Sequence, residues 1–232
     1  MRTSIWSRLL DVISPRTCSV CGGRLSANES VVCATCHLHL PQTHYEQNPL
    51  DNPMARLFWG RFPIEKAAAL FFYEPQGYVS RLIYDMKYHG FPETCQYMGE
   101  IMARQMSKAG FFDGIDALVP MPLTWRRQWK RGYNQSMEMA RGIKSVTGLP
   151  IYNKVVKRTH FRQSQTTQHA YERMMNVEDA FLLKKGGRIE GTHILLVDDI
   201  VTTGSTITAC ASELAKAQGV RISILTMGFT KS

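Results

Sequence analysis

Apolar residues fall into two textures along this chain. After Pro63 they come as short unbroken runs separated by stretches of helical spacing. Ala67 to Tyr73 and Ile194 to Val197 predict buried strands, and Ala117 to Val119, Ile151 to Val156 and Val220 to Phe229 predict three more. Between them, Val79, Leu82, Ile83 and Met86 recur at three- and four-residue intervals and predict a helix over Tyr78 to Tyr88. Cys95 to Lys108, Gln135 to Val146 and Ser205 to Ala217 carry the same signal. Strands apolar on both faces that alternate with amphipathic helices predict an α/β fold, a parallel sheet with helices on both faces.

Before Pro63 the pattern is looser. Thr3 to Ile13 predicts a short helix that Pro15 ends. Residues 41–63 hold Pro41, Pro49, Pro53 and Pro63 and read as a linker, interrupted by Leu57, Phe58 and Trp59, which predict a docking point. The expected division is a head over 1–40, a linker over 41–63 and a main domain over 64–232. No run approaches the ~18–20 apolar residues of a membrane span. Arg8 and Asp11 break the opening apolar letters, so no secretory signal is expected and the reading is cytoplasmic, without membrane insertion.

Composition adds little until charge is mapped. At 232 residues, 44% hydrophobic and 20% charged, the chain excludes wholesale disorder. The net charge of +9 is concentrated between Met121 and Arg162, where ten basic residues face Glu138 alone; elsewhere the charges cancel. Four of the six cysteines form Cys18-x2-Cys21 and Cys33-x2-Cys36. Soft anionic thiolates in two facing knuckles read as a structural Zn²⁺ site; a redox pair would explain one knuckle and not both. His37 and His39 sit beside the second knuckle and could substitute as ligands, although four sulfurs already close a structural site and leave them as bystanders. Gly22 and Gly23 suit the tight turn after the first knuckle.

The most informative segment is Ile194-Leu195-Leu196-Val197-Asp198-Asp199-Ile200-Val201-Thr202-Thr203-Gly204-Ser205-Thr206. A core strand delivers two carboxylates to its carboxyl end, where open α/β sheets bind ligands. Five small residues then enter a helix whose amides can hold a phosphate, with Ser205 or Thr206 placed to cap it. The carboxylates suit a ribose diol. There is no Gly-Lys-Ser/Thr, so the segment is not a P-loop.

This segment resembles the phosphoribosyl pyrophosphate (PRPP) motif of type I phosphoribosyltransferases. The resemblance implies a site in which Asp198 and Asp199, as the catalytic pair, meet the ribose hydroxyls, and Thr202, Thr203, Gly204, Ser205 and Thr206 hold the 5′-phosphate. It also implies Mg²⁺ entering with PRPP. A second resemblance is narrower. Val119-Pro120-Met121-Pro122-Leu123, Arg127 and Arg131-Gly132-Tyr133-Asn134-Gln135 look like the signature of the ComF family, competence-associated phosphoribosyltransferase-like proteins. Lys87-Tyr88-His89-Gly90, the segment with Gln165, Arg173, Asn176 and Phe181, and the four-cysteine zinc ribbon match that family too, while Arg162 departs from its usual Thr. The implied role is DNA uptake in natural transformation, with single-stranded DNA and a competence helicase or recombination-loading proteins as partners.

The basic district then has two candidate ligands. Trp125, Arg126, Trp129 and Lys130 interleave rings and cations, as single-stranded nucleic acid requires. Lys87, Arg127 and Arg131 are candidates for pyrophosphate or for DNA. Three functions follow: a phosphoribosyltransferase, a PRPP-sensing DNA-binding factor without turnover, and an enzyme of nucleotide metabolism, for which no base-binding hood is found.

Overall fold

The computed structural model describes residues 16–88, 91–160 and 179–230. Among the described residues there are six strands: β1 (Ile64–Tyr73), β2 (Ala117–Pro120), β3 (Val156–His160), β4 (Asp179–Leu183), β5 (His193–Val201) and β6 (Arg221–Thr230). The helices are α1 (Ala34–His39), α2 (Pro53–Phe58), α3 (Tyr78–Tyr88), α4 (Pro92–Ser107), α5 (Trp125–Arg131), α6 (Gln135–Thr147) and α7 (Ser205–Leu214). Four strands form an all-parallel sheet in the order β1-β6-β5-β2. Both of its faces are covered. Leu70, Leu118, Leu195, Val197, Leu225 and Met227 join Leu82, Met86, Met98, Met102 and Met139 in one buried cluster. Ala69, Val119, Ile194, Leu196 and Ile224 join Met54, Phe58, Ile207, Cys210 and Leu214 in the other.

The predicted strand at Ile151 shrinks to a single parallel bridge with Leu118, because the chain leaves the sheet after Tyr152. Strand β3 begins only at Val156 and pairs antiparallel with β4 in a separate two-stranded ribbon. The predicted helix at Thr3 to Ile13 lies outside the described residues.

Residues 41–63 lie along the open edge of β1. Phe72 N–H donates to Pro41 O at 2.8 Å, Thr43 N–H to Leu70 O at 3.1 Å and Ala67 N–H to Pro49 O at 2.8 Å. Edge groups that would otherwise face water or another chain are thereby paired. Asn52 then starts α2: its Oδ1 accepts from Met54 and Ala55 N–H at 3.0 Å each, and its Nδ2 donates to Ala67 O at 2.8 Å. Pro53 follows at the position where a missing N–H costs nothing. The helix delivers fully buried Met54 and Phe58 beneath the sheet.

Candidate functional site

Strand β5 runs past its apolar residues and carries Asp198 and Asp199 within its last four residues. The two carboxylates are held by different helices. Ser136, in the first turn of α6, donates its hydroxyl to Asp198 Oδ1 at 3.0 Å, and Asp199 N–H donates to the same oxygen at 2.9 Å. Asp199 instead meets Lys87 at the end of α3, with Nζ 2.9 Å from Oδ2 and both side chains largely buried. Burial and the neighbouring Asp199 charge push the Asp198 carboxyl up to about 7, against the pull of those hydrogen bonds and of Lys87. One aspartate is therefore paired with a cation, and the other is a carboxyl that burial makes titrate close to neutral pH.

Helix α6 is placed by Asn134, whose Oδ1 accepts from Ser136 N–H at 3.0 Å and Met137 N–H at 3.4 Å. Its Nδ2 donates to Met121 O at 3.0 Å, which ties the helix start to the end of β2. Arg131 donates to Gln135 Oε1 at 2.9 Å and lies over the Tyr88 ring at 5.9 Å. Lys87 thus meets the aspartate pair directly, while Arg131 contacts Tyr88 and Gln135, the chain neighbours of Lys87 and Ser136.

After Val201 the chain turns through Thr202 to Gly204, and α7 begins at Ser205. The residue capping that helix is Gly204, which corrects the expectation for Ser205 or Thr206: both already lie inside the first turn. Glycine offers no side-chain cap; Thr203 Oγ1 accepts from Ser205 N–H at 3.4 Å and stands 3.1 Å from Ser205 Oγ. The first amides of α7 thus lie beside three hydroxyl-bearing residues, a setting that favours anions. Gly204 has φ +74°, and a Cβ there would lie 2.8 Å from a Phe58 ring carbon and 2.9 Å from a Leu57 methyl. Helix α2 is the floor of this loop. Arg61, just beyond it, donates to Thr203 O at 3.5 Å.

The head gathers Cys18, Cys21, Cys33 and Cys36 so that all four sulfurs lie within 4.8 Å of one another. Cys21 and Cys33 Sγ are 3.9 Å apart, far beyond a disulfide and near the ~3.8 Å edge of a tetrahedron of 2.3 Å metal–sulfur bonds. Backbone N–H groups of Val20, Cys33, Gly23 and Cys36 point at the sulfurs at 3.3–3.5 Å. Gly22 takes φ +72° in the first knuckle. His39 Nδ1–H instead donates to Thr35 O at 2.7 Å. The donor set can bind a metal ion.

Trp125, Arg126, Arg127, Trp129 and Lys130 form α5, a helix with no buried residue. The two tryptophans do not pack locally; they stand in solvent. Arg158, in the same basic stretch, is buried against Phe181, with its guanidinium carbon 5.4 Å from the ring centre.

A family model for the phosphoribosyl transferase domain matches residues 130–227, which carry α6, the aspartate pair and the loop. The chain is 29% identical over 202 residues to the DNA utilization protein YhgH of Escherichia coli, spanning 86% of this chain and 84% of that one. It is 34% identical over 102 residues to Competence protein F of Haemophilus influenzae, 44% of either chain, and 30% identical over 106 residues to Competence protein ComFC of Bacillus subtilis, 44% of this chain and 41% of that one. These relatives carry the DNA-utilization and competence names that the ComF resemblance implies. A solved adenine phosphoribosyltransferase from Leishmania tarentolae overlays 82% of this chain and 94% of its own at 9% identity and a TM-score of 0.39.

Of the ComF segment noted in the sequence, Phe181 lies in β4, while Arg162, Gln165, Arg173 and Asn176 lie outside the described residues. Sequence reasoning missed Ser136, Arg61 and the Leu57–Phe58 floor. Ser136 follows the recognised Asn134-Gln135 pair and was legible as the first turn of a helix; nothing in the sequence ties Phe58 to a loop so far along the chain.

Proposed function

We propose that this ComF-type phosphoribosyltransferase-like protein binds PRPP beyond the carboxyl end of β5 and acts with single-stranded DNA in DNA uptake. The observation that carries the first part is the aspartate pair, held by Ser136 and Lys87 and followed by a loop whose helix start has no side-chain cap on its N-cap residue. Two carboxylates suit a diol because both hydroxyls of a ribose are donors. The Thr202–Thr206 amides and hydroxyls suit the 5′-phosphate, and Lys87, Arg127 and Arg131 supply cations for the diphosphate or for DNA.

Asp199 is already countered by Lys87 and burial raises the Asp198 carboxyl to about 7, so the pair holds less free charge for a bare metal ion than two open carboxylates and fits hydroxyl recognition better. Mg²⁺ would enter on the diphosphate and spread its charge. Structural Zn²⁺ would occupy the four sulfurs of the head, whose spacing and N–H donors suit it. The exposed cations and rings of α5 support the DNA role that the competence relatives' names suggest.

The test is calorimetry with PRPP and Mg²⁺, and separately with inorganic phosphate. Wild-type protein should bind PRPP below millimolar concentration. The Asp198→Asn, Asp199→Asn double variant should lose PRPP while keeping phosphate, whose loop it does not touch. Unchanged PRPP binding in that variant overturns the reading. Release of pyrophosphate with an added acceptor separates a transferase from a binding site.

A further inference from the structure

Helix α5 presents Trp125 and Trp129, 76% and 77% exposed and four residues apart, hence on one side. Arg126, Arg127 and Lys130 form no ion pair among the described residues, and residues 124–137 contain no carboxylate. Large rings left in water beside uncompensated cations need a partner that supplies both stacking faces and negative charge.

The surface does not stop at α5. Arg131, its last residue, leans over Tyr88 at the end of α3. Tyr88 in turn pairs with Tyr84, with ring centres 4.7 Å apart and planes tilted by 44°. These two tyrosines are 53% and 56% exposed. Lys87, beside Tyr88, closes on Asp199. Arg127 and Arg131, four residues apart on the side of α5 away from the tryptophans, therefore carry its cations to Tyr88 and on to the mouth of the aspartate site.

We propose that Tyr84 and Tyr88 form a base-stacking platform, joined by Arg131 to the cations of α5, and that a single strand of DNA runs along this surface up to the aspartate site. The inference rests on the reading of single-stranded DNA as partner. Bases of any identity stack on aromatic rings while cations follow the phosphates, so the track takes a strand without regard to sequence. Where it reaches Arg131, strand phosphates approach the position proposed for the diphosphate of PRPP. Like charges there disfavour joint occupancy, and by linkage each ligand weakens the other by the same factor.

Fluorescence polarisation with labelled oligothymidylate on the full chain tests this. Tyr84→Ala and Tyr88→Ala should each weaken binding about 5-fold or more with the salt slope unchanged, since no phosphate contact is lost. Tyr88→Phe, which keeps the ring, should bind as wild type. PRPP with Mg²⁺, its own binding followed by calorimetry, should weaken the oligonucleotide about 5-fold. If the tyrosine variants bind normally while Trp129→Ala loses affinity, the platform is wrong and the DNA reading stands. Wild-type protein that binds no oligothymidylate at low salt overturns both. Bound PRPP that leaves oligonucleotide affinity unchanged shows that the strand does not reach the aspartates.

Discussion

Asp198 and Asp199 are neighbours in sequence and identical in type, yet they keep different company, and the difference is measurable. The carboxyl of Asp198 is raised to about 7 by burial and by the charge of Asp199, whereas an unfolded aspartate titrates at about 3.9. Between those values the folded chain holds more protons than the unfolded one, so this group makes stability fall as pH rises from about 4 to about 7. Asp198→Asn should therefore raise the thermal midpoint at pH 8, by up to about 4 kcal/mol in stability, and the gain should vanish near pH 4. The amide keeps an oxygen for Ser136 and for its neighbour's N–H. Asp199→Asn should do the opposite at pH 8, because it strands the Lys87 ammonium. Its expected cost is about 1–3 kcal/mol, below that of a fully buried pair because Lys87 keeps some contact with water. Equal responses of the two variants across a pH series of melts would refute the assignment. No spacing or charge pattern separates these residues; the difference arises from which helix start or end each meets.

At the scale of elements, the crossing of α4 and α6 sets the position of Ser136. Gly99 and Gly142 let the two backbones touch: a Cβ at Gly142 would lie 2.0 Å from Gln96 O, and one at Gly99 would lie 2.1 Å from Met139 O. Gln96 Nε2 donates to Glu138 Oε2 at 2.7 Å across the same contact. Gly142→Ala should gain about 1 kcal/mol of helix propensity and lose more to overpacking, for a net loss of about 2 kcal/mol. Ser136 should shift with the helix, so phosphoribosyl binding should fall along with the melting temperature; a stabilised variant would contradict the crossing. How far such elements could be read in advance depended on burial. The spacing of Val79, Leu82, Ile83 and Met86 predicts α3 with the bounds observed, because that face is buried. Helix α5 buries nothing, so it has no periodicity to read. Helix α2 is six residues begun by a cap and a proline, and its local sequence looks like linker. Strand β5 extends past Val197 because pairing with β6 continues through Val201 opposite Phe229, which apolar runs alone do not reveal.

Across the whole molecule, the cysteine head is continuous with the main core. Cys18, Val20, Val32, Cys36 and Leu40 share one buried cluster with Leu70, Phe71, Val79 and Leu82. If Zn²⁺ is bound by the sulfurs, stripping it removes about 10–16 kcal/mol of apparent binding free energy from a unit that helps cover the sheet. A chelator should then lower the melting temperature of the entire chain in one transition, with protease cuts appearing beyond residue 40. A separate early transition confined to 18–40 would show that the head is thermodynamically independent.

Strand β1 finds its sole partner within the parallel sheet in the last strand, with Ile64 opposite Ile222 and Tyr73 opposite Thr230. Pairing across so much of the chain makes this closure slow and late. During synthesis at about 5–20 residues per second, Ala67 to Phe72 waits roughly 10–30 seconds before its neighbour leaves the ribosome. For that interval a run of six apolar residues has no strand to sit beside, while the segment that will shield its outer edge is already made. The nascent chain is thus a client for a holding chaperone, and a ribosome stalled ahead of Arg221 would release a sticky fragment rather than a shortened protein.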